Sequence, residues 1–240
     1  MLRFFKDRHS HTLLGIVKKK VNTNSGLRIF LNMIYVLSPP DVLPPLRDIA
    51  MICGHPAVTA FQIRLKSAPQ LTIAQAVRAV QPLCLAHQVA LILNDDPALA
   101  SSLGCDGVHL GSEDTAVATA RAQMPPGAII GASCYNDIAL ALRAREDGAS
   151  YVAFGAVYPS VTKQAKTRAS LGLFGAWNDL QAHAPLPSVA IGGIQLSAVP
   201  DILSAGARAV ALCSGIWHDV GAALQQMDGL INQYGDPQWM

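Results

Sequence analysis

The sequence LILNDDPALASSLGCDGVHLGSED, residues 91–114, contains the unit on which the predicted fold depends. It opens with a short apolar run, continues with PALASSL, which suits a short helix after an Asp-Pro pair, and ends in a second apolar run, GVHLG. Short apolar runs bounded by turn residues are typical of buried strands. Two such strands separated by a helix predict parallel neighbours joined by a right-handed crossover.

Eight apolar runs of this kind follow one another along the chain. Between them lie amphipathic patterns with apolar residues three and four apart and a glycine near the end, which predict helices. Eight such units in about 200 residues match a TIM (β/α)8 barrel. The competing architecture is an open doubly wound sheet, which would place a glycine-rich turn after its first strand; the first turn here, SPPDVLPP, has no glycine. The runs are MIYVLS (33–38), AFQIRLK (60–66), VALILND (89–95), GVHLG (107–111), AIIGAS (128–133), YVAFGAV (151–157), SVAIGG (188–193) and AVALCS (209–214).

The composition is that of one compact domain. Of the 240 residues, 51% are hydrophobic and 14% charged, and we predict a single catalytic barrel over residues 33–240. The net charge of +2 is too small to indicate a nucleic-acid partner, and no apolar run reaches the length of a membrane span. The five cysteines are widely spaced, without a C-x-x-C pair, which favours small buried residues in a reducing cytoplasm. We expect a cytoplasmic enzyme with small-molecule substrates, and leave a homo-oligomer open.

Residues 1–32 form a basic leader ahead of the first strand. The segment lacks the charged, apolar and small-residue order of a signal peptide. We interpret it as a flexible leader or as the result of a misassigned start, with Met33 as the true one; a weak surface anchor is the third interpretation. Its lysines and arginines are Arg3, Lys6, Arg8, Lys18, Lys19, Lys20 and Arg28.

Two turns late in the chain indicate a phosphate site. AIGGI follows the seventh strand and ALCSGI follows the eighth, and these strand ends hold a phosphate in many barrels through backbone N–H groups and a helix N-terminus. Alone, the two glycines would indicate only a tight turn, and Ser214 only an N-cap. Their occurrence at consecutive strand ends favours a phosphate site at Gly192, Gly193, Cys213 and Ser214.

The segment QIRLK, residues 62–66, predicts a site for a second anion. In a strand, Gln62, Arg64 and Lys66 point to the same side. Placing two cations on the inner face of a buried strand costs desolvation energy unless an anion neutralises them. An edge strand with a solvated polar face is poorly supported, because a barrel has no edges. A diphosphate is the expected anion.

The four carboxylates of the opening segment have separate predicted roles. Asp95 ends the third strand and Asp114 follows the fourth, so both should lie at the barrel mouth, where carboxylates beside a phosphate suit Mg²⁺. Asp96 precedes a proline and is predicted to be a helix N-cap. Asp106 begins a strand and should serve a turn at the opposite end. His109 lies among apolar strand residues, which favours a hydrogen-bonded core histidine over a catalytic base.

Taken in order, these segments resemble the thiamine phosphate synthase family, also called thiamine-phosphate pyrophosphorylase, whose superfamily includes thiazole tautomerases. The resemblance runs from about Ile34 to the eighth helix. It implies a TIM barrel that joins hydroxymethylpyrimidine diphosphate to a thiazole phosphate and releases pyrophosphate. The segments that carry it are QIRLK, the Asn94-Asp95 pair, DGVHLGSED (106–114), GAS ending at Ser133, VYPSVTK (157–163), AIGGI and the Ser214 turn.

The resemblance also implies a role for each site residue. The diphosphate would be held by Gln62, Arg64, Lys66 and Lys163, and Mg²⁺ by Asp95 and Asp114. The pyrimidine would contact Asn94 and Ser133. The thiazole phosphate would bind at Ser160, Thr162, Gly192, Gly193, Cys213 and Ser214. As the diphosphate departs, Mg²⁺ and the cations Arg64, Lys66 and Lys163 would neutralise its growing charge.

Three positions depart from the family pattern. Leu65 and Asp96 stand where members often have Glu and Arg, and Ser160 stands where they have Thr. Asp96 is the serious departure, because an anion near a diphosphate costs on the order of a few kcal/mol if it faces the ligand, and little if it is solvated.

Two alternatives to the synthase remain at this point. One is a thiazole tautomerase-type isomerase, which would need a proton-transferring residue such as histidine but neither the metal pair nor the QIRLK row. The other is a catalytically silent barrel that binds thiazole phosphate or thiamine. Because the chain retains Asp95, Asp114 and the whole QIRLK row, the sequence favours the synthase.

Overall fold

The structure is a computed structural model, and it describes residues 34–159, 167–181 and 186–234, with side chains described up to residue 233. The leader, including its suggested start at Met33, lies outside the described residues. So do three of the predicted ligand-binding residues, Ser160, Thr162 and Lys163.

Eight parallel strands close into one barrel in sequence order, and β8 pairs with β1 to complete it. The predicted TIM barrel is therefore confirmed, and each predicted apolar run contains a strand. The strands are β1 Ile34–Leu37, β2 Val58–Ile63, β3 Ala90–Asn94, β4 Gly107–Leu110, β5 Ile129–Tyr135, β6 Tyr151–Gly155, β7 Ser188–Ile191 and β8 Ala209–Leu212.

Helices lie between the strands and cover the outside of the barrel. Within the described part of the chain, none combines the length and the apolar character that crossing a membrane requires. The helices are α1 Leu46–Cys53, α2 Gln70–His87, α3 Pro97–Leu103, α4 Val117–Gln123, α5 Ile138–Glu146, α6 Gly172–Asp179, α7 Val199–Ser204, which a 3₁₀ turn Leu196–Ala198 precedes, α8 Ser214–Trp217 and α9 Val220–Tyr234.

The second strand is shorter than the sequence predicts. It ends before Arg64, so the prediction that Arg64 and Lys66 lie within the strand is wrong. The loop after β1 holds these residues instead: the Arg64 N–H donates to Ser38 Oγ at 2.9 Å, and the Lys66 N–H donates to the Pro40 carbonyl at 2.9 Å. The predicted alternation nevertheless persists, since Leu65 between them is buried.

The first and last strands meet at the β8–β1 pairing. Trp217 of α8 donates its indole N–H to the Leu37 carbonyl at 2.6 Å. The Cys213 thiol lies 3.6 Å from the Ser38 carbonyl. All five cysteines are free thiols, and four of them are buried, as predicted. Residues at the end of β8 thus fasten the β1 loop that in turn holds Arg64 and Lys66.

The interior of the barrel is filled by two tyrosines set among small residues. Tyr35 and Tyr151 pack inside with the alanines Ala60, Ala90, Ala153, Ala209 and Ala211. The register places Tyr151 beside Gly131. A Cβ at position 131 would overlap the Tyr151 ring and lie 2.5 Å from His109 Nδ1. Glycine is required there because the Tyr151 and His109 rings occupy the space that a side chain would need.

Replacing Gly131 with alanine should therefore destabilise the fold. Overpacking a rigid core costs roughly 1–3 kcal/mol, so the free energy of unfolding should fall by about that amount in urea denaturation. Gly229→Ala is the matched control, because nothing lies within 4 Å of its added Cβ and it sits inside helix α9. That change should stabilise the protein by about 0.5–1 kcal/mol. Equal stability of the two variants would contradict this account of the interior.

Candidate active site

The candidate site lies at the mouth formed by the carboxyl ends of the strands. Residues predicted for the site lie in the last residues of, or just after, β2, β3, β4, β5, β7 and β8, and barrel closure brings all of these ends to one face. Function collects at this face of TIM barrels. The predicted residues that the structure describes here are Gln62, Arg64, Lys66, Asn94, Asp95, Asp114, Ser133, Gly192, Gly193, Cys213 and Ser214.

Asp95 is held at the mouth by its backbone and paired with a lysine. Its φ of +70° is rare for a residue with a side chain, and its N–H donates to the His109 carbonyl at 2.8 Å. This turn at the end of β3 places the carboxylate 2.7 Å from Lys66 Nζ. The strained backbone at this position is consistent with a functional constraint.

Asp114 is the second carboxylate of the predicted pair. Its Oδ2 accepts the Gly111 N–H at 2.7 Å, which fixes the side chain against the end of β4. Partial burial raises the pKa of Asp95; Lys66 opposes this rise, and the nearby Asp114 carboxylate adds to it. Because two neighbouring carboxylates disfavour each other's charge, the structure brings the predicted metal ligands together as a pair that a cation would stabilise.

The donor set fits Mg²⁺ better than a metal held wholly by protein. Among the described residues, no cluster of three or more histidine, cysteine or acidic side chains could hold an ion. Mg²⁺ is usually bound through one or two carboxylates, with water and substrate phosphate oxygens completing its shell. Asp95 and Asp114 would supply those two carboxylates.

Arg64 is a half-buried cation at the same mouth. No described carboxylate lies within ion-pair distance of it. Its positive charge affects groups at two different strands of the barrel, Cys213 after β8 and His109 in β4. Burial raises the pKa of the Cys213 thiol, and the Arg64 guanidinium lowers it. Burial lowers the pKa of His109 to about 4; Asp114 raises it, and Lys66 and Arg64 lower it further. A cation placed between these groups is suited to an anionic ligand.

Gln62 lies within β2, deeper in the barrel than Arg64 and Lys66, which follow the end of that strand. It is 1% exposed, and its side-chain N–H donates to the Tyr35 hydroxyl. Its other amide atom, Oε1, is buried without a hydrogen-bond partner among the described residues. The structure thus separates Gln62 from the two cations, and its predicted contact with the diphosphate stays a prediction.

A hydrogen-bonded series of five side chains, here called the interior chain, runs from β2 to β5 across the barrel. From the Tyr35 hydroxyl, the next member is the Tyr151 hydroxyl at 3.1 Å. His109 Nδ1 lies 2.8 Å from the Tyr151 hydroxyl, and His109 Nε2 lies 2.9 Å from Ser133 Oγ. The prediction that His109 is a hydrogen-bonded core histidine is confirmed, since it is 7% exposed. The interior chain is Gln62, Tyr35, Tyr151, His109 and Ser133.

Sequence reasoning missed the two tyrosines of the interior chain. Tyr35 and Tyr151 lie in strands that read as apolar runs, and nothing local marks their hydroxyls as part of a site. The available signal was Gly131 in the middle of a strand, because a glycine there often marks the close approach of another group.

The turn after β7 is a tight glycine turn, and its predicted role in binding a phosphate stays a prediction. Gly192 and Gly193 have φ of +99° and +67°, which favours glycine. A Cβ at Gly192 would lie 2.6 Å from Ala156 Cα, so the turn packs directly against the loop after β6. Ser214 is exposed and is the first residue of α8, with Cys213 in the capping position. The alternative that Ser214 is an N-cap is therefore wrong.

Asp96 and Asp106 serve the roles predicted for them outside the ligand site. Asp96 Oδ1 accepts the Leu99 N–H at 2.9 Å and caps helix α3. Asp106 Oδ2 accepts the Leu91 N–H at 2.8 Å, at the end of the barrel away from the mouth, and burial raises its pKa. Leu65, another departure from the family pattern, is part of the hydrophobic core.

A closed parallel barrel that gathers carboxylates and cations at the carboxyl ends of its strands is a TIM-barrel enzyme. Residues 46–216 match the family model described as thiamine monophosphate synthase. The chain belongs to this family, and the resemblance seen in its sequence is confirmed. The activity of the family is that of a transferase.

Individual relatives agree with the family model. The thiamine-phosphate synthase of Rhodospirillum centenum is 42% identical over 200 residues, which cover 81% of this chain and 94% of the relative. That of Methylobacillus flagellatus is 46% identical over 175 residues, covering 72% and 82%. The solved thiamine phosphate pyrophosphorylase from Pyrococcus furiosus superposes with a TM-score of 0.73 at 27% identity, covering 86% of this chain and 98% of that one. These relatives favour the synthase over the tautomerase and the silent barrel.

The capping role of Asp96 predicts how substitutions there affect stability. Asp96→Ala should lower the free energy of unfolding by about 0.5–2 kcal/mol, because the Leu99 N–H loses its acceptor. Asp96→Asn keeps a capping oxygen and should cost little. Denaturant unfolding of both variants measures the difference. If alanine and asparagine had the same effect, Asp96 would not act as a cap.

Proposed function

We propose that this protein is a thiamine phosphate synthase that joins hydroxymethylpyrimidine diphosphate to a thiazole phosphate and releases pyrophosphate. The observation that carries the proposal is the pairing of Asp95 with Asp114 beside Lys66 and Arg64 at one barrel mouth. Two carboxylates and two cations in one place suit a metal-bound diphosphate, which brings both a cation and an anion to the site.

In this proposal, Asp95 and Asp114 hold Mg²⁺, which when bound would neutralise oxygens of the departing diphosphate. Arg64 and Lys66 bind the same diphosphate. Lys66 now pairs with Asp95, so it exchanges that carboxylate for the diphosphate when substrate enters. Cations directed at a leaving group lower the barrier to its departure, because they stabilise charge that grows in the transition state.

The remaining contacts follow the predicted roles. Asn94 and Ser133 contact the pyrimidine ring, which an exocyclic amino group helps to stabilise as a methylene cation once the diphosphate leaves. The thiazole phosphate binds the backbone of Gly192 and Gly193 and the turn at Cys213 and Ser214. Anchoring the thiazole by its phosphate fixes its nitrogen for attack on the methylene carbon. For Ser160, Thr162 and Lys163 the resemblance remains the support.

The proposed reaction needs no strong general base, because the thiazole nitrogen attacks with its lone pair. This agrees with the state of His109, whose two ring nitrogens both contact hydroxyl groups inside the barrel. An isomerase that moves a proton at the mouth would need a proton-transferring residue such as histidine facing the ligand, whereas His109 is buried and lies behind Ser133. The geometry therefore supports the synthase over the tautomerase-type alternative.

The direct test is to mix the two precursors with the purified protein and measure thiamine phosphate with and without Mg²⁺. We expect product only in the presence of a divalent cation. A folded protein that binds thiazole phosphate but forms no thiamine phosphate would reject the proposal and support the silent barrel.

Asp95→Asn should impair the proposed metal site and leave the proposed thiazole phosphate site intact. Turnover should fall by at least about 100-fold, the scale on which loss of a preorganised electrostatic contact acts. Binding of thiazole phosphate, measured by calorimetry, should be nearly unchanged. Asp96→Asn is the matched control and should keep its activity, since its side chain caps a helix. Equal loss of turnover and thiazole binding in Asp95→Asn would contradict the assignment.

Arg64→Gln should weaken the binding of pyrophosphate. A hydrogen bond to a charged group contributes roughly 1.5–3 kcal/mol, which corresponds to about a 10- to 100-fold rise in the dissociation constant. Arg47→Gln provides the control, because the Arg47 side chain is 87% exposed and its ion pair among the described residues is with its neighbour Asp48. Unchanged pyrophosphate affinity in Arg64→Gln would show that the guanidinium does not face the diphosphate.

A further inference from the structure

The interior chain lies directly beneath the residues proposed to bind the pyrimidine. Four of its members are almost fully buried: Gln62 is 1% exposed, Tyr35 2%, Tyr151 0% and His109 7%. Only Ser133, at the end of β5, is half-buried. The proposed function gives a role to Ser133 at one end of the interior chain, and leaves its other four members without one.

Each hydrogen bond of the interior chain has a defined donor and acceptor. The Tyr35 oxygen accepts from the Gln62 amide and also from the Tyr151 hydroxyl, at 3.1 Å. A tyrosine hydroxyl has a single hydrogen, so Tyr151 turns a lone pair toward His109. The imidazole nitrogen that meets this lone pair is Nδ1, at 2.8 Å, and it must carry the hydrogen.

The donor in the Tyr151–His109 hydrogen bond determines the donor in the His109–Ser133 hydrogen bond. A neutral imidazole has one N–H, and with that hydrogen on Nδ1 its Nε2 can only accept. The donor to Nε2 is then the Ser133 hydroxyl, at 2.9 Å. Turning the ring over would put carbon atoms in the places of Nδ1 and Nε2 and give up both hydrogen bonds, although it would keep the stacking on Tyr151, whose centroid lies 5.5 Å away.

We propose that Tyr151 and His109 are positioning residues that fix Ser133 as a hydrogen-bond acceptor toward the substrate, so that the site selects a pyrimidine with an exocyclic N–H donor. This inference rests on the proposed function. Ser133 uses its only hydrogen on His109, which leaves lone pairs for the ligand. Gln62 Oε1 is a second buried acceptor without a partner among the described residues.

The selection follows from what happens to an unpaired acceptor. A site built to hydrogen-bond a substrate group rejects the analogue that lacks the group, because its own buried polar atoms are then left without partners. A pyrimidine with hydrogen in place of the amino group offers no donor to Ser133 or to Gln62. The interior chain therefore discriminates between rings of the same shape by polarity.

Nitrogen-15 NMR of the histidine-labelled protein tests the tautomer without ligand, and so separately from the proposed function. With its signals assigned through a His109→Asn variant, His109 should be protonated at Nδ1 and unprotonated at Nε2. Tyr35→Phe removes the acceptor of the Tyr151 hydrogen; Tyr151 should then donate to Nδ1, and the ring should change to the Nε2–H tautomer. Finding Nε2–H in the unsubstituted protein would overturn the proposal.

Tyr135→Phe is the matched control for the tautomer measurement. It removes a hydroxyl from the same strand as Ser133, but that hydroxyl is on a side chain 39% exposed and bonds Ser112 outside the interior chain. The His109 signals should not change in this variant. A tautomer change in this variant would mean that removing a hydroxyl group elsewhere on β5 also disturbs the His109 ring. That result would contradict a specific role for Tyr151.

Calorimetry then measures the selection itself. The ligands are hydroxymethylpyrimidine diphosphate and its analogue with hydrogen in place of the amino group, each titrated with Mg²⁺ and without thiazole phosphate. The unsubstituted protein and Tyr135→Phe should prefer the amino ligand by about 10- to 100-fold, the value of one or two buried hydrogen bonds. Tyr151→Phe should reduce this preference by about tenfold, because without the Tyr151 hydroxyl the hydrogen of His109 is no longer fixed on Nδ1.

The two measurements separate the possible failures. If Tyr151→Phe weakened the binding of both ligands by the same factor, Tyr151 would have only a structural role and the proposal would be wrong. If neither ligand bound the unsubstituted protein, the proposed function would fail, and the selection with it. An Nε2–H ring together with tight, selective binding would overturn the positioning role alone and leave the proposed function standing.

Discussion

The width of the barrel interior is the constraint on which the rest of the structure depends. Eight short parallel strands close on themselves, so every second side chain must fit into a space that the register alone defines. Two tyrosines fit because their neighbours are small: Tyr151 lies beside Gly131, and Tyr35 lies between Ala60 and Ala211. Close packing of the rings brings their polar atoms together, where they satisfy one another's hydrogen bonds. The floor of the mouth is therefore both rigid and polar.

Charge at the described part of the mouth is partly paired before any ligand enters. A chain with few charges places Lys66 against Asp95 and leaves Arg64 without a carboxylate partner among the described residues. A metal diphosphate brings a cation for the two carboxylates and an anion for the two cations, so it can replace the Lys66–Asp95 contact and give Arg64 a partner. The half-exposed position of the Lys66 pair keeps that exchange inexpensive, since partly solvated ion pairs are weak. Such a site binds its ligand partly by exchange of an existing ion pair and partly by neutralising a cation that has no described carboxylate partner.

The fold and much of the site could be predicted from the sequence because the signals are local. Strands buried on both faces read as continuous apolar runs, and Asp96 could be separated from Asp95 by the proline that follows it. The end of β2 could not be predicted, because the partners of Arg64 and Lys66 are Ser38 and Pro40 of another loop. The interior chain was likewise hidden, since its contacts depend on the register of strands far apart in the sequence.

The bond between Trp217 and the Leu37 carbonyl joins the last strand–helix unit to the first strand. Its consequence concerns the order in which the protein is made. A growing chain synthesises β1 and β2 early, but β1 lacks its second neighbour until β8 and α8 have left the ribosome. The loop that holds Arg64 and Lys66 is fastened by residues of that late segment, so the cationic side of the mouth is completed last. Contacts between distant parts of a chain form slowly, and nascent intermediates expose unpaired strand edges. One edge of β1 therefore stays without its strand partner until β8 has been made.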